Sequence, residues 1–166
     1  ENLPLTTITD ATFPINETDA LLATNAAYNT LREWRYQLGG FPLLDIMSDD
    51  RTKGSNPADG SSVKIFEDFT YEVQTGSIGE WYATLYEAVK RTNVVIEKLP
   101  AVEMDENLKY RYIAEARFIR ALTYFSMTRA WGDLIKVTAL NPDTDLPRSP
   151  ASEIYDEIIF PDLLFA

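Results

Sequence analysis

The chain has 166 residues, 45% of them apolar and 12% aromatic, enough for one domain with a hydrophobic core rather than a disordered segment. Its net charge of −11, from 15 basic and 26 acidic residues, has the wrong sign for a nucleic-acid binder. It contains no cysteine and no histidine, which removes disulfides, zinc sites built on those residues, Ser-His-Asp and Cys-His catalysis, and the Glu-x-x-His ligation of di-iron bundles. No apolar run is long enough to span a bilayer as a helix. The sequence begins at Glu1 rather than Met, which fits a mature or engineered terminus with any targeting signal removed.

In chain order, residues 1–15 read as an extended arm with Pro4 and Pro14. Asn16 is a helix N-cap with Asp19 three residues on. Asn16-Glu17-Thr18 also matches a glycosylation sequon, but the cap is the reading preferred here. Ala20, Ala23, Ala27, Leu31, Trp34 and Leu38 follow at helical spacing, a single apolar stripe. Gly39 and Gly40 are expected to end that helix. Phe41 to Met47 is a short apolar segment. Residues 48–62, SDDRTKGSNPADGSS, form the longest polar loop. Residues 63–75 alternate loosely and read as extended or irregular.

Ser77 and Glu80 spell a capping box before a second helix. Trp81, Leu85, Ala88, Thr92, Val95 and Leu99 give it a stripe, and Pro100 marks its exit. Asp105 is expected to cap a third helix running to about Trp131. That helix is apolar on two sides, which suits a central place in a bundle, and Gly132 is placed to end it. Leu134 to Thr138 is a short β-prone run, and 139–148 is a polar loop. Ser149-Pro150 reads as an N-cap with proline at the first helical position. The last helix begins there, and Pro161 should kink or shorten it. The closing DLLFA is apolar and uncapped, from which a truncated chain is expected. The two long helices make a pair of tetratricopeptide-like length, but Glu115, one 34-residue period after Trp81, does not restore the tryptophan.

Three blocks resemble the SusD/RagB family of outer-membrane glycan-binding lipoproteins. AEARFIRALTYFSMTRAWGDLIKVT (114–138) is similar to the family's AEA+FLRA-x-x-YF…FG-x-P-hydrophobic pattern. WYATLYEAVKRTNVVIEKLP (81–100) is similar to its W-x-x-LY-x-x-I-x-x-AN-x-x-I block. AAYNTLR (26–32), DIMSDD (45–50) and RSPASEIYDEIIFPDL (148–163) occur around these in the family order. The sequence departs from the pattern at Trp131-Gly132-Asp133, where the family has glycine after phenylalanine. Family members run to several hundred residues, and the lipid-bearing cysteine of the family would stand just before residue 1.

The resemblance implies an all-α fold, a SusD-like helical bundle with tetratricopeptide-like helix pairs, long polar loops and little or no sheet. Residues 1–166 would form the N-terminal part of such a domain, with a helical region over 16–166. The resemblance also implies no enzymatic activity, no cofactor, and capture of an oligosaccharide at the outward-facing surface of the outer membrane. Delivery would be to a SusC-like TonB-dependent transporter, with membrane attachment only through a lipid anchor upstream of residue 1. A tetratricopeptide-like protein-interaction scaffold without sugar binding is the alternative.

Candidate ligand-binding residues lie in the 48–62 loop: Asp49, Asp50, Arg51, Lys53, Asn56 and Asp59. Carboxylates and amides of this kind pair with vicinal sugar hydroxyls, although a solvated loop is the plainer reading. Arg51 breaks the alternating Asp/Asn pattern of a calcium loop. Trp34, Trp81 and Trp131 all fall at core spacing, so a ring that stacks on sugar is expected at Phe66, Phe69 or Tyr71, or outside this chain. Arg117 and Arg120 beside Glu115 read as a structural ion pair. Asn93, on an apolar helix face, reads as an interhelical hydrogen bond. The adjacent acids Asp49-Asp50 and Glu67-Asp68 do not resemble two carboxylates flanking a glycosidic bond.

Overall fold

The structure, a computed structural model, describes residues 13–54, 56 and 58–166. The arm expected over 1–15 lies, up to residue 12, outside the described residues. Asn16 caps the first helix as its side chain predicts, accepting the Asp19 N–H at 2.9 Å. Helix α1 (Glu17–Thr30) buries Ala20, Ala23 and Ala27, small side chains that allow a close approach to the helices beneath.

The stripe does not continue as one helix. Tight turns at Leu31, Arg32 and Glu33 interrupt it, and α2 (Trp34–Phe41) follows as a separate helix. No breaker residue announces this interruption; a tertiary contact holds it. Arg91 reaches across to donate to the Ala26 carbonyl at 3.1 Å and to Thr30 Oγ1 at 3.3 Å, and it pairs with Glu33 at 3.4 Å. Trp34, expected in the core, is consequently 73% exposed.

Gly39 and Gly40 do not end a helix. They are buried within α2, where the absence of a side chain admits Trp81. A Cβ on Gly39 would stand 2.0 Å from the Cβ of Trp81. The chain continues through a π-helical turn, Pro42–Ile46, into the polar loop.

The loop closes two residues earlier than the sequence suggests, and residues 63–75 are not extended. Helix α3 (Ser61–Glu67) follows Gly60 and buries Phe66 completely. Its half-buried Val63 and Ile65, two apart, gave the false alternation. Helix α4 (Gly76–Lys98) begins without the capping box. Thr75 folds the preceding turn by accepting the Glu72 N–H at 3.0 Å, and Ser77 Oγ is buried without a partner.

Helices α4 and α5 (Glu106–Trp131) pack as a helical hairpin through the short 3-10 turn Leu99–Ala101. Asp105 caps α5, accepting the Leu108 N–H at 2.9 Å. Gly132 ends it at φ +68°, a conformation that favours glycine. One core cluster, around Trp81, Leu85, Tyr124, Met127 and Ile158, lies toward the start of α4 and the end of α5. A second, around Ala20, Ala23, Val95, Leu99 and Ala116, lies at the other end beneath α1.

The expected all-α class holds. The sheet among the described residues is a two-residue antiparallel pair, β1 (Leu134–Ile135) with β2 (Arg148–Ser149). Ser149 is therefore in a strand, and Pro150 takes the N-cap position of α6 (Ala151–Ile154). A π-helical turn, Tyr155–Ile159, joins α6 to α7 (Phe160–Phe165). The wider turn accommodates Pro161, which lacks an N–H, without ending the helix.

The expected Glu115 ion pair is not formed. Glu115 bonds Arg111 at 2.7 Å, its neighbour four residues back, whereas Arg117 is two residues on and faces another way. Arg120 instead donates to both carboxylate oxygens of the buried Asp162, at 2.7 and 2.9 Å. It also donates to Asn93 Oδ1 at 2.7 Å. Asn93 in turn donates to the Val137 carbonyl at 3.2 Å, the interhelical role its position suggests.

Candidate functional site

The polar loop hangs between two helical turns and is tied to both. Ser48 Oγ donates to the Asp45 carbonyl at 2.6 Å, fixing the exit from the π-helical turn. Arg51 Nη1 stands 3.9 Å from Asp45 Oδ2, an exposed pair of little energetic weight. The Lys53 N–H donates to Glu67 Oε2 at 3.2 Å, binding the loop to the last residue of α3.

The loop is also tied to itself. Lys53 Nζ donates to the Asn56 carbonyl at 2.7 Å. The Asn56 side chain accepts the Ala58 N–H at 2.9 Å, and its carbonyl accepts the Asp59 N–H at 2.9 Å. Gly54 and Gly60 turn the chain at φ +66° and +60°. Ser55 and Pro57 lie outside the described residues.

Of the six candidate residues, Lys53 and Asn56 serve the loop's own geometry. Asp49, Asp50, Arg51 and Asp59 are exposed along it. The site thus offers three outward carboxylates and one guanidinium on an internally braced frame. Such bracing lowers the ordering cost of binding. Beside it, Lys64 is held above its ordinary pKa by its hydrogen bond to the Asp68 carboxylate.

The three aromatic candidates separate clearly. Phe66 is in the core. Tyr71 stacks on it at 5.3 Å between ring centroids, with an interplanar angle of 17°. Phe69 is 63% exposed. Trp81 and Trp131 pack against each other at 5.0 Å. Among the described residues no group of three or more acidic side chains converges to hold a metal ion, and no helix is long and apolar enough to cross a membrane.

Residues 43–165 match the family model of SusD-like proteins, described as starch-binding and associating with the outer membrane. The chain belongs to the SusD-like family. The SusD-like protein P2 of Formosa agariphila is 22% identical over 170 residues, covering all of this chain and 34% of that protein. A solved laminarin binding SusD-like protein is 28% identical, with a TM-score of 0.76 over 91% of this chain and 33% of that one. A SusD superfamily protein from Parabacteroides distasonis is 29% identical, with a TM-score of 0.74 over 96% of this chain and 34% of that one. This SusD-like chain therefore spans about a third of the length of the relatives it matches.

Two features of the candidate site escape sequence reasoning. Glu67, read as one of a pair of adjacent acids, is the anchor of the loop. Phe69 stands at positive φ, which no spacing pattern encodes.

Proposed function

We propose that this SusD-like protein captures a neutral glycan through the 48–62 loop, without hydrolysing it, and delivers it to a SusC-like TonB-dependent transporter. It would do so at the outward-facing surface of the outer membrane, held by a lipid anchor upstream of residue 1. The match to a starch-binding, outer-membrane-associating family over residues 43–165 carries this reading. A laminarin binding protein among the structural neighbours supports a glucan as the first ligand to try.

The preference for a neutral glycan follows from charge. The chain carries −11 overall, and the loop sets Asp49, Asp50 and Asp59 against Arg51 and Lys53, three charges against two. A uronate or sulfated polysaccharide would meet repulsion on approach. Neutral hydroxyls would meet carboxylates able to accept from them. Each such hydrogen bond nets only about 0.5–1.5 kcal/mol against water, so several must act together.

Calorimetry of the complete gene product against laminarin, starch and alginate tests this. Binding to at least one of the two glucans, none to alginate, and little change between low and high salt are expected. Preferential binding of alginate would overturn the neutral-glycan reading. Release of reducing sugar from a bound glucan, lost on substitution of Asp49 or Asp50, would overturn the non-enzymatic one.

A further inference from the structure

Helix α5 is apolar on two sides, and the described residues cover only one of them. Ala116, Ile119 and Met127 are fully buried. On the other side Phe118 is 48% exposed and Phe125 39%. A helix that is apolar all round is a buried one, so this second side calls for a cover.

The uncovered side is a continuous trough. At one end Tyr28, Arg111, Ala114 and Glu115 enclose about 410 Å³ together with Ala166. At the other, Leu122, Phe125 and Ile159 line the smaller cavity of about 200 Å³. Phe118 and Leu163 line both. From Arg111 to Phe125 the trough runs for roughly 21 Å at the helical rise, about four turns. Ala114 and Ala121 stand one turn on either side of Phe118 and leave hollows into which a second helix can set its side chains.

The last helical stretch, 151–165, forms one wall, and its contacts fix its direction. Tyr155 meets the Phe125 ring at 6.4 Å between centroids. Phe165 meets the Tyr110 ring at 5.0 Å, and the Arg117 guanidinium lies 4.2 Å from the Phe165 centroid. Tyr110 OH also donates to the Phe165 carbonyl at 3.4 Å. Higher numbers on this stretch meet lower numbers on α5, so the two run antiparallel. The chain therefore reaches Ala166 at the Tyr28–Arg111 end of the trough.

We infer that the trough seats a helix from the stretch of the complete gene product that follows Ala166, antiparallel to 151–165 and packed along the second side of α5. The length of the relatives supplies the occupant: this chain covers 34% of the SusD-like protein P2 and 33% of the laminarin binding protein. Geometry supplies the path. Consecutive helices joined by a short connection pack antiparallel, so a helix after Ala166 enters beside Tyr28 and runs toward Phe125.

Two measurements on the complete gene product test this. A photoreactive benzophenone analogue of phenylalanine at position 118 is expected to crosslink, within one chain, to a peptide that follows Ala166. In separate variants, Phe118→Cys and Leu163→Cys are expected to react with iodoacetamide roughly tenfold or more slower than Trp34→Cys, whose position is exposed on α2. Fast labelling at both 118 and 163 overturns the proposal. So does a crosslink that joins two copies of the chain, or one to residues 1–12. Protection of both cysteines without a crosslink beyond Ala166 overturns it as well, since the cover is then another body.

Discussion

A Cβ on Gly39 would lie 2.0 Å from the Trp81 Cβ, whereas one on Gly40 would meet the same indole at an ordinary 3.5 Å. Both glycines sit within a helix, where alanine is normally preferred by about 1 kcal/mol. Gly40→Ala is therefore expected to be neutral or slightly stabilising. Gly39→Ala should cost at least about 2 kcal/mol by overpacking against Trp81. Urea midpoints of the two variants check this, and equal stability of both would contradict it. The Arg120–Asp162 pair makes a second prediction. Both groups are buried, so Asp162→Ala should cost about 3–5 kcal/mol by leaving an unpaired charge inside. Arg120→Met with Asp162→Leu should cost less than either single change, and a larger loss in the double variant would contradict it. The sequence showed that Asn93 needed a partner. It could not show which, because Arg120 and Asp162 lie 42 positions apart and helical spacing identifies only near neighbours. Trp34 leaves the core for a related reason: its spacing continues a stripe that the Arg91 contact interrupts.

At the scale of elements, the short strand segment after α5 hangs on two tyrosines. Tyr124 OH donates to the Val137 carbonyl at 3.1 Å and accepts the Val137 N–H at 2.8 Å. Tyr86 OH donates to the Ile135 carbonyl at 2.8 Å. Burial pushes the Tyr124 hydroxyl up to about 12, and it raises Tyr86 as well. In the unfolded chain these groups ionise near 10. The unfolded state therefore binds fewer protons above that pH, and stability falls as pH rises. Stability fully present below pH 10 should be lost between about 10 and 12, by a few kcal/mol in all. Alkaline unfolding followed at several pH values checks the slope, which should flatten in Tyr124→Phe; an unchanged slope would contradict the assignment. The long elements were legible because α4 and α5 run for many turns with capping or stop signals at Asp105 and Gly132. Helix α3 and the two π-helical turns were not. Each spans only 5 to 7 residues, too few for a period to emerge, and α3 depends on burial of Phe66.

Across the whole molecule, the helical hairpin is a frame and the braced loop is its polar extension. Another face is apolar: Phe118, Phe125, Ile159 and Leu163 line a shallow groove of about 200 Å³ between α5 and the last helix. Of the closing apolar residues flagged in the sequence, Leu163 lines it, and Leu163 and Leu164 are exposed. The candidate site was half legible. Its polar residues and their loop could be named from composition, but their division into bracing and outward groups depends on contacts such as Lys53 with Asn56 and Glu67. Binding of a neutral glycan by the outward groups is read most directly by a calorimetric titration of laminarin into the complete gene product and into Asp50→Ala with Arg51→Ala. Both side chains are exposed, and the one ion pair described for them is long, so the melting midpoint should not move. An affinity lowered about tenfold or more at unchanged stability is expected. Equal affinity in the variant and the unmodified protein would contradict it.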